Sequence, residues 1–173
     1  MDDKVYELLN DQIKNELYSA YLYMDFANYY ADAGLNGYAS WYMVQAAEER
    51  DHALIMRNYL IDNECKITLK AIDQPDKTYA NFMDPLIFGL EHEKFISAAI
   101  NTIYAAAYAV QDFRTMKFLD WFVSEQGEEE KNAQDLITDM KLFGSDPKSL
   151  HALDREQATR VYTMPSPLAT AGA

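Results

Sequence analysis

Apolar residues recur three and four positions apart along four long stretches of the chain, the spacing of one buried face of an α-helix. The stretches are Val5–Ala33, Tyr38–Glu64, Phe82–Val110 and Thr115–Phe143. At about 1.5 Å per residue each helix would be roughly 40 Å long, so the four can lie side by side. The pattern predicts an all-α protein built on a four-helix bundle.

The breaks between these stretches differ in strength. Residues 34–37 (Gly-Leu-Asn-Gly) predict a short turn, and residues 144–147 (Gly-Ser-Asp-Pro) predict a stop. No strong breaker occurs near Gln111–Arg114, so periodicity alone predicts the junction there. A short fifth helix is expected over Ser149–Arg160. We expect the bundle domain to cover residues 1–162, and residues 163–173 to form a mobile tail.

The connection over residues 65–81 is long, contains Pro75 and shows no helical period. A connection of this length inside a compact domain usually has a structural or functional role. Fully extended, it could span about 55 Å, enough to run the length of the bundle. The second and third helices would then be parallel, so we expect a bundle with one long crossover.

The amino-acid composition limits the cellular compartment and the kinds of binding partner that we expect. The one cysteine, Cys65, cannot form an internal disulfide or a Cys-x-x-Cys metal site, which fits a reducing compartment. The N-terminus lacks a signal-peptide pattern and no apolar stretch reaches the ~20 residues of a membrane span, so we expect a cytoplasmic protein without a membrane partner. A net charge of −13 argues against nucleic-acid binding.

Acidic residues interrupt the apolar face of every long helix near its middle. The interrupting acids are Glu16, Glu49, Glu93, Glu125 and Glu129, and the second helix also carries His52 on this face. Burying one unpaired carboxylate costs several kcal/mol, and no Lys or Arg lies on these faces at the same levels. Divalent cations would compensate, and oxygen ligands with a histidine suit Fe²⁺. Because Glu49 and His52 are three positions apart on one helical face, both can reach the same ion.

Each of these features alone has a more ordinary interpretation. A single acid on an apolar face usually marks a misplaced helix boundary, a Glu-x-x-His pair is a weak signal, and Tyr23 would ordinarily be a core residue. The run of glutamates over residues 128–130 would usually be a solvated helix face. The agreement of four helices favours a metal site.

Four stretches carry a family resemblance: residues 15–19 (Asn-Glu-Leu-Tyr-Ser), 47–52 (Ala-Glu-Glu-Arg-Asp-His), 92–93 (His-Glu) and 123–130 (Val-Ser-Glu-Gln-Gly-Glu-Glu-Glu). They closely resemble bacterial and archaeal non-haem ferritins, which belong to the ferritin-like di-iron family. The likeness covers about residues 3–160. It implies iron storage with ferroxidase activity, in which O₂ or H₂O₂ oxidises Fe²⁺ and ferric oxide is deposited inside a hollow homo-oligomeric cage of 24 subunits.

The resemblance also implies roles for individual residues. The first iron would be held by Glu16, Glu49 and His52, and the second by Glu49, Glu93 and Glu129, with Glu49 bridging. Gln126 would lie beside the pair, and Tyr23 would be the tyrosine that donates an electron. A third iron site maps onto Glu48, Glu125, Glu128 and Glu129.

Departures from related groups sharpen the prediction. Bacterioferritin has a haem-ligating methionine where this chain has Arg50, and a second Glu-x-x-His where this chain has Gln126-x-x-Glu129, so no haem is expected. Cys65 alone cannot build the four-cysteine site of rubrerythrins, and the DNA-protecting mini-ferritins place their site between subunits. Animal ferritins have acidic residues in an iron channel at the positions of Met116 and Leu119. The sequence therefore does not predict the route by which iron enters.

Two alternatives to an iron store also remain at this point. One is a di-iron oxidase or peroxidase that acts on a small substrate without storage. The other is a cage without enzymatic activity, against which the complete ligand set argues.

Overall fold

The computed structural model describes residues 1–169, which form six helices and no strand. The helices are α1 (Asp3–Asp32), α2 (Asn36–Asp62), α3 (Asp84–Ala109), α4 (Phe113–Phe143), α5 (Pro147–Gln157) and α6 (Ser166–Ala169). The all-α prediction and the four long helices are confirmed, with boundaries that differ by a few residues. Within the described residues, no helix is both long and apolar enough to cross a membrane.

The turn after α1 uses the left-handed conformation that glycine adopts without strain. Gly34 has φ +82°, and its N–H donates to the carbonyl of Ala31 at 3.0 Å. The N–H of Leu35 donates to the carbonyl of Tyr30 at 2.9 Å, which completes a Schellman C-cap. The predicted turn is therefore present, although α2 already begins at Asn36, inside the four-residue segment.

The junction between α3 and α4 has the same C-cap without a glycine. Gln111 has φ +56°, its N–H donates to Tyr108, and the N–H of Asp112 donates to Ala107. The side chain of Asp112 then accepts a hydrogen bond from the N–H of Thr115 at 3.0 Å and so caps α4. The junction is sharp although the sequence shows no breaker, because Gln111 adopts a backbone conformation that usually signals glycine.

Residues 63–83 connect α2 to α3 and run along α1. Asn10 exchanges two hydrogen bonds with the backbone of Thr68, each 2.9 Å long, near the start of α1. Further along, the hydroxyl of Tyr79 donates to Asp25 at 2.5 Å. The connection therefore travels from the beginning of α1 towards its end. This route makes α2 and α3 parallel and confirms the single long crossover.

A polar layer divides the apolar core into two parts. One apolar cluster takes from the four long helices residues that include Phe26, Tyr42, Leu86 and Leu136. The other cluster takes from the same helices residues that include Leu9, Met56, Ile100 and Phe122. In each helix the interrupting glutamate lies between its contributions to the two clusters. The bundle thus encloses a band of acids between two apolar clusters. Burial of each Val, Leu, Ile, Phe or Met side chain in these clusters stabilises the fold by about 1.5–3 kcal/mol.

The fifth helix packs on the start of α2. Asp154 accepts hydrogen bonds from the backbone N–H groups of Gly37 at 2.7 Å and Tyr38 at 3.1 Å, so it caps α2 from another helix. A Cβ at position 37 would lie 1.5 Å from the carbonyl oxygen of Asp154. Glycine is therefore required there by the close approach of α5.

The segment expected to be a mobile tail contains one structured element, helix α6, which the sequence did not predict. Its Leu168 is half-buried and packs against the second apolar cluster. Residues 170–173 of the expected tail lie outside the described residues, and the mobility of the segment stays a prediction.

Candidate di-metal site

The polar layer is built from one level of each long helix. Its ionisable members are Glu16 on α1, Glu49 and His52 on α2, Glu93 on α3, and Glu129 on α4. Their exposed fractions range from 1% for Glu16 to 7% for Glu129. Five ionisable side chains are thus gathered in the dry interior of the bundle.

These residues form two overlapping groups. One ligand atom from each of Glu16, Glu49 and His52 lies within 4.8 Å of the others, and the same holds for Glu49, Glu93 and Glu129. Glu49 belongs to both groups and therefore lies between them. The structure therefore brings together the members of both predicted ligand sets.

Several atoms of the two groups lack hydrogen-bond partners among the described residues. They are Oε2 of Glu16, Oε2 of Glu129, and both ring nitrogens of His52. Nδ1 of His52 lies 3.3 Å from Oε2 of Glu49. Buried polar atoms are normally paired, and each one left unpaired costs about 1–3 kcal/mol. Carboxylate oxygens and imidazole are a donor set that fits Fe²⁺, so the residues present suit the predicted ions.

Glu93 differs from Glu16 and Glu129 because both of its oxygens have hydrogen-bond partners. The hydroxyl of Tyr23 donates to Oε1, and Nε2 of Gln126 donates to Oε2 at 3.1 Å. Tyr23 is 1% exposed and Gln126 is 4% exposed. The structure therefore places both residues beside the second group, on the side of Glu93.

Burial and mutual repulsion raise the proton affinity of most of these carboxyls. Burial, followed by the charge of Glu49, raises the pKa of Glu16 to about 8 and that of Glu93 to about 7. The pKa of Glu129 is raised well above its ordinary value for the same two reasons. Before metal binds, the layer therefore retains protons at neutral pH.

Glu49 and His52 behave as a charged pair within this layer. Burial opposes charge on both, but the contact between them outweighs burial. The pKa of Glu49 is lowered, helped by a hydrogen bond from Gln45, and the pKa of His52 is raised to about 9. The shared glutamate is thus the carboxylate that stays ionised most readily.

The residues proposed for a third iron site are only partly brought together. Glu125 is half-buried and offers an oxygen within 4.8 Å of ligand atoms of His52 and Glu129. Glu48 belongs to none of these groups and pairs instead with Arg160, while Glu128 is exposed. The expected constellation is therefore incomplete in the structure.

Arg160 is a residue near the site that sequence reasoning missed. Its guanidinium pairs with Glu48 and lies over the ring of Trp41, with its central carbon 4.0 Å from the ring centroid. The pair joins residues 112 positions apart. Helical periodicity carries no signal for such a contact, because Arg160 lies just beyond the end of α5.

The one-crossover bundle and its internal carboxylates and histidine define a protein of the ferritin-like carboxylate class. A family model described as a ferritin-like domain matches residues 6–143. The chain belongs to the ferritin family, and the resemblance inferred from the sequence is confirmed.

Known proteins similar to this chain include bacterial and archaeal ferritins. A bacterial non-heme ferritin of Campylobacter jejuni is 32% identical over 155 residues, 90% of this chain and 93% of that protein. A probable bacterial non-heme ferritin-like protein of Haemophilus influenzae is 31% identical, covering 90% of this chain and 94% of its own length.

Solved structures give the same result. An engineered closed form of the Archaeoglobus fulgidus ferritin superposes with a TM-score of 0.92 at 35% identity, over 94% of this chain and 99% of that one. An open-pore ferritin from the same archaeon gives a TM-score of 0.91 at 35% identity, over 93% and 98% of the two chains.

Proposed function

We propose that the protein is a ferroxidase that stores the iron it oxidises. The observation that carries this proposal is the pair of buried ligand groups that share Glu49 and leave oxygen and nitrogen atoms unpaired. A structural role for four buried glutamates would require basic partners at the same level. In the described residues, the ion pair at this level is that of His52 with Glu49.

Two Fe²⁺ ions are the substrates of the proposed reaction. Glu16, Glu49 and His52 would hold one ion, and Glu93 and Glu129 would hold the other together with Glu49 as the bridge. The carboxyls with raised pKa release their protons as the ions bind, since a metal ligand must be deprotonated. Carboxylate oxygens favour Fe³⁺ over Fe²⁺, so each ion gives one electron and O₂ is reduced to H₂O₂ with two protons. H₂O₂ could replace O₂ as the oxidant.

We propose that Tyr23 assists electron transfer. Its hydroxyl donates to the carboxylate of Glu93, which can take the phenol proton when an electron leaves the ring. Burial, followed by the charge of Glu93, raises the pKa of the Tyr23 phenol well above its ordinary value. The phenol therefore stays protonated until oxidation.

A third iron would need a change at Glu48. The carboxylates of Glu48 and Glu125 are both half-buried, and burial raises the pKa of each. Arg160 already neutralises Glu48, so a third ion bound by Glu48 and Glu125 would displace the guanidinium. We therefore propose that the third site fills only after the first two.

Storage requires a closed assembly, which we propose to be a cage of 24 identical subunits. The surface of α1 and α2 supports association because it exposes Tyr21, Met24 and Met43 around an apolar hollow of about 520 Å³. Exposed apolar patches of this kind commonly mark protein interfaces. The A. fulgidus relatives include ferritins described as closed and open-pore forms. The cytoplasmic setting expected from the sequence stays a prediction.

Aerobic loading followed by sedimentation tests the proposed function. The purified protein receives several hundred Fe²⁺ ions per assembly, and protein and iron are then measured across the gradient. We expect iron to travel with a dense particle of 24 subunits. Rapid oxidation followed by precipitation of ferric oxide away from the protein would favour the non-storage oxidase instead.

A further inference from the structure

Two buried glutamines precede two of the candidate ligands by one helical turn. Gln12 lies four residues before Glu16 on α1, and Gln45 lies four residues before Glu49 on α2. Side chains four positions apart on a helix are neighbours. The exposed fraction is 1% for Gln12 and 4% for Gln45, so neither amide is a surface group.

Gln12 holds one oxygen of one glutamate. Its Nε2 donates to Oε1 of Glu16 at 2.8 Å, and its own Oε1 accepts a hydrogen bond from Nδ2 of Asn15 at 3.0 Å. The second bond fixes which end of the amide faces Glu16. Oε2 of Glu16 is left without a partner among the described residues, within the first ligand group.

Gln45 holds two glutamates at once. Its Nε2 donates to Oε1 of Glu49 on its own helix and to Oε1 of Glu129 on α4, both at 2.8 Å. One amide nitrogen carries two hydrogens, so it can serve both carboxylates. Oε2 of Glu129 then lacks a partner, and Oε2 of Glu49 faces Nδ1 of His52.

We propose that Gln12 and Gln45 are positioning residues for the metal ions, each selecting the glutamate oxygen that faces the metal. An amide suits this role because it donates hydrogen bonds without adding charge. A glutamate at either position would add a further repelling carboxylate, and a lysine would compete with the ions. The proposal rests on the proposed function and deepens it.

Gln12 and Gln45 should affect the binding of different numbers of metal ions. Gln12 contacts Glu16, which belongs only to the first ligand group. Gln45 contacts the shared Glu49 and also Glu129 of the second group. Loss of the Gln12 amide should therefore weaken the binding of one ion, whereas loss of the Gln45 amide should weaken the binding of both ions. A role limited to packing would not produce this difference.

Cobalt binding tests the proposal without relying on iron oxidation. The variants Gln12→Met and Gln45→Met keep the length of the side chain and remove the amide, and Gln134→Met changes an exposed glutamine on α4 as a matched control. Metal-free assemblies are titrated with Co²⁺ by calorimetry, and visible absorption reports the ligand geometry of each ion. Gln12→Asn and Gln45→Asn, which shorten the amide, replace the methionine variants if those fail to assemble.

We expect two Co²⁺ ions per subunit in the unchanged protein and in Gln134→Met. One ion should bind about 10- to 100-fold more weakly in Gln12→Met, and both should do so in Gln45→Met. Unchanged affinities and spectra in both variants, or equal weakening of both ions in both variants, would overturn the positioning role while leaving the proposed function intact. Absence of two-ion binding in the unchanged protein would overturn the proposed function as well.

Discussion

The hydroxyl of Tyr23, on α1, donates its hydrogen bond to Oε1 of Glu93, on α3. Gln126 donates to the other oxygen of the same carboxylate at 3.1 Å. Glu16 and Glu129, in contrast, each keep one oxygen without a partner among the described residues. The two ligand groups are therefore unequal before metal binds. An ion that binds Glu93 competes with these two hydrogen bonds, so we expect the group of Glu16, Glu49 and His52 to fill first.

Replacing Tyr23 with phenylalanine should reduce the difference in metal affinity between the two ligand groups. Tyr23→Phe frees one oxygen of Glu93, so the second Zn²⁺ ion should bind several-fold more tightly while the first is unchanged. Calorimetric titration of the metal-free assembly measures both affinities. Tyr30→Phe is the control, because its hydroxyl donates to the carbonyl of Phe82 and not to a candidate ligand. Weaker binding of the second ion in Tyr23→Phe would show that the Tyr23 hydroxyl does not compete with the metal ion for Glu93.

Arg160 should limit binding at the third site. In Arg160→Gln the carboxylate of Glu48 loses its cationic partner and becomes available beside Glu125. Anaerobic Fe²⁺ titration should then show a third ion at concentrations where the unchanged protein binds two. Arg155→Gln, which removes an exposed charge from α5, should not change the number of ions. Two ions in both variants would show that Glu48 does not serve as a ligand.

The metal-free protein should become less stable as pH rises. The folded state raises the pKa of Glu16 from 4.5 to about 8 and that of His52 from 6.5 to about 9. Between these limits the folded state binds more protons than the unfolded state, so the free energy of unfolding falls with increasing pH. We expect a loss on the order of a few kcal/mol between pH 5 and pH 9, because each tenfold gain in proton affinity on folding corresponds to about 1.4 kcal/mol.

Thermal unfolding of the metal-free assembly across this range measures the effect. Bound Zn²⁺ replaces the protons on the carboxyls, so the loaded protein should lose much less stability as pH rises. A melting temperature that increases with pH in the metal-free protein would contradict the assigned pKa directions.

Gly37 should be indispensable for docking of the fifth helix. Gly37→Ala places a Cβ against the backbone of Asp154, a contact that neither partner can relieve by a side-chain rotation. We expect a loss of about 1–3 kcal/mol in the free energy of unfolding, as for other overpacked sites. Chemical denaturation measures it, and Gly127→Ala is the control because a Cβ there meets nothing within 4 Å. Equal stability of the two variants would show that α5 can shift freely.

The sequence predicted the parts of the fold that periodicity encodes. The four helical faces and the level at which acids interrupt the apolar core follow from spacing along single helices. The long crossover follows from the length of the connection between the second and third helices. The left-handed backbone of Gln111 could not be predicted, because most left-handed residues are glycine or asparagine. Helix α6 was also missed, since a four-residue helix is too short to show a period.

The candidate site was predictable where its residues share a helix face, and less so elsewhere. Gln126 is buried at that level while Glu125 is half-buried, because the buried face of α4 includes Gln126 beside the expected Glu129. The ion pair of Glu48 with Arg160 depends on how the segment after α5 crosses α2. Gln45 lies one helical turn before Glu49, but its bond to Glu129 on another helix could be found only in the structure.

We expect a lack of haem binding to distinguish this protein from bacterioferritin. A guanidinium is permanently charged and cannot ligate iron, and the exposed side chain of Arg50 pairs with Asp51 at 2.8 Å. After incubation with haemin and gel filtration we expect no sharp visible haem bands. A stoichiometric haem with the spectrum of two thioether ligands would contradict the non-haem assignment and leave the ferroxidase proposal standing.

Stopped-flow absorbance after aerobic mixing with two Fe²⁺ ions per subunit tests the central claim most directly. Glu49→Ala removes the shared ligand, and His52→Ala removes the imidazole. Loss of a residue that only contacts a metal ligand typically lowers activity by up to roughly 100-fold. Each of these two substitutions should lower the initial oxidation rate by more than that. Glu91→Ala, which changes an exposed glutamate on α3, is the matched control and should oxidise iron at the unchanged rate. All three variants should still assemble, because each substitution only shortens a side chain and adds no group that could clash with a neighbouring helix. Rapid oxidation in Glu49→Ala and His52→Ala, equal to that of the control, would contradict the assignment of the buried carboxylate layer as the site of iron oxidation.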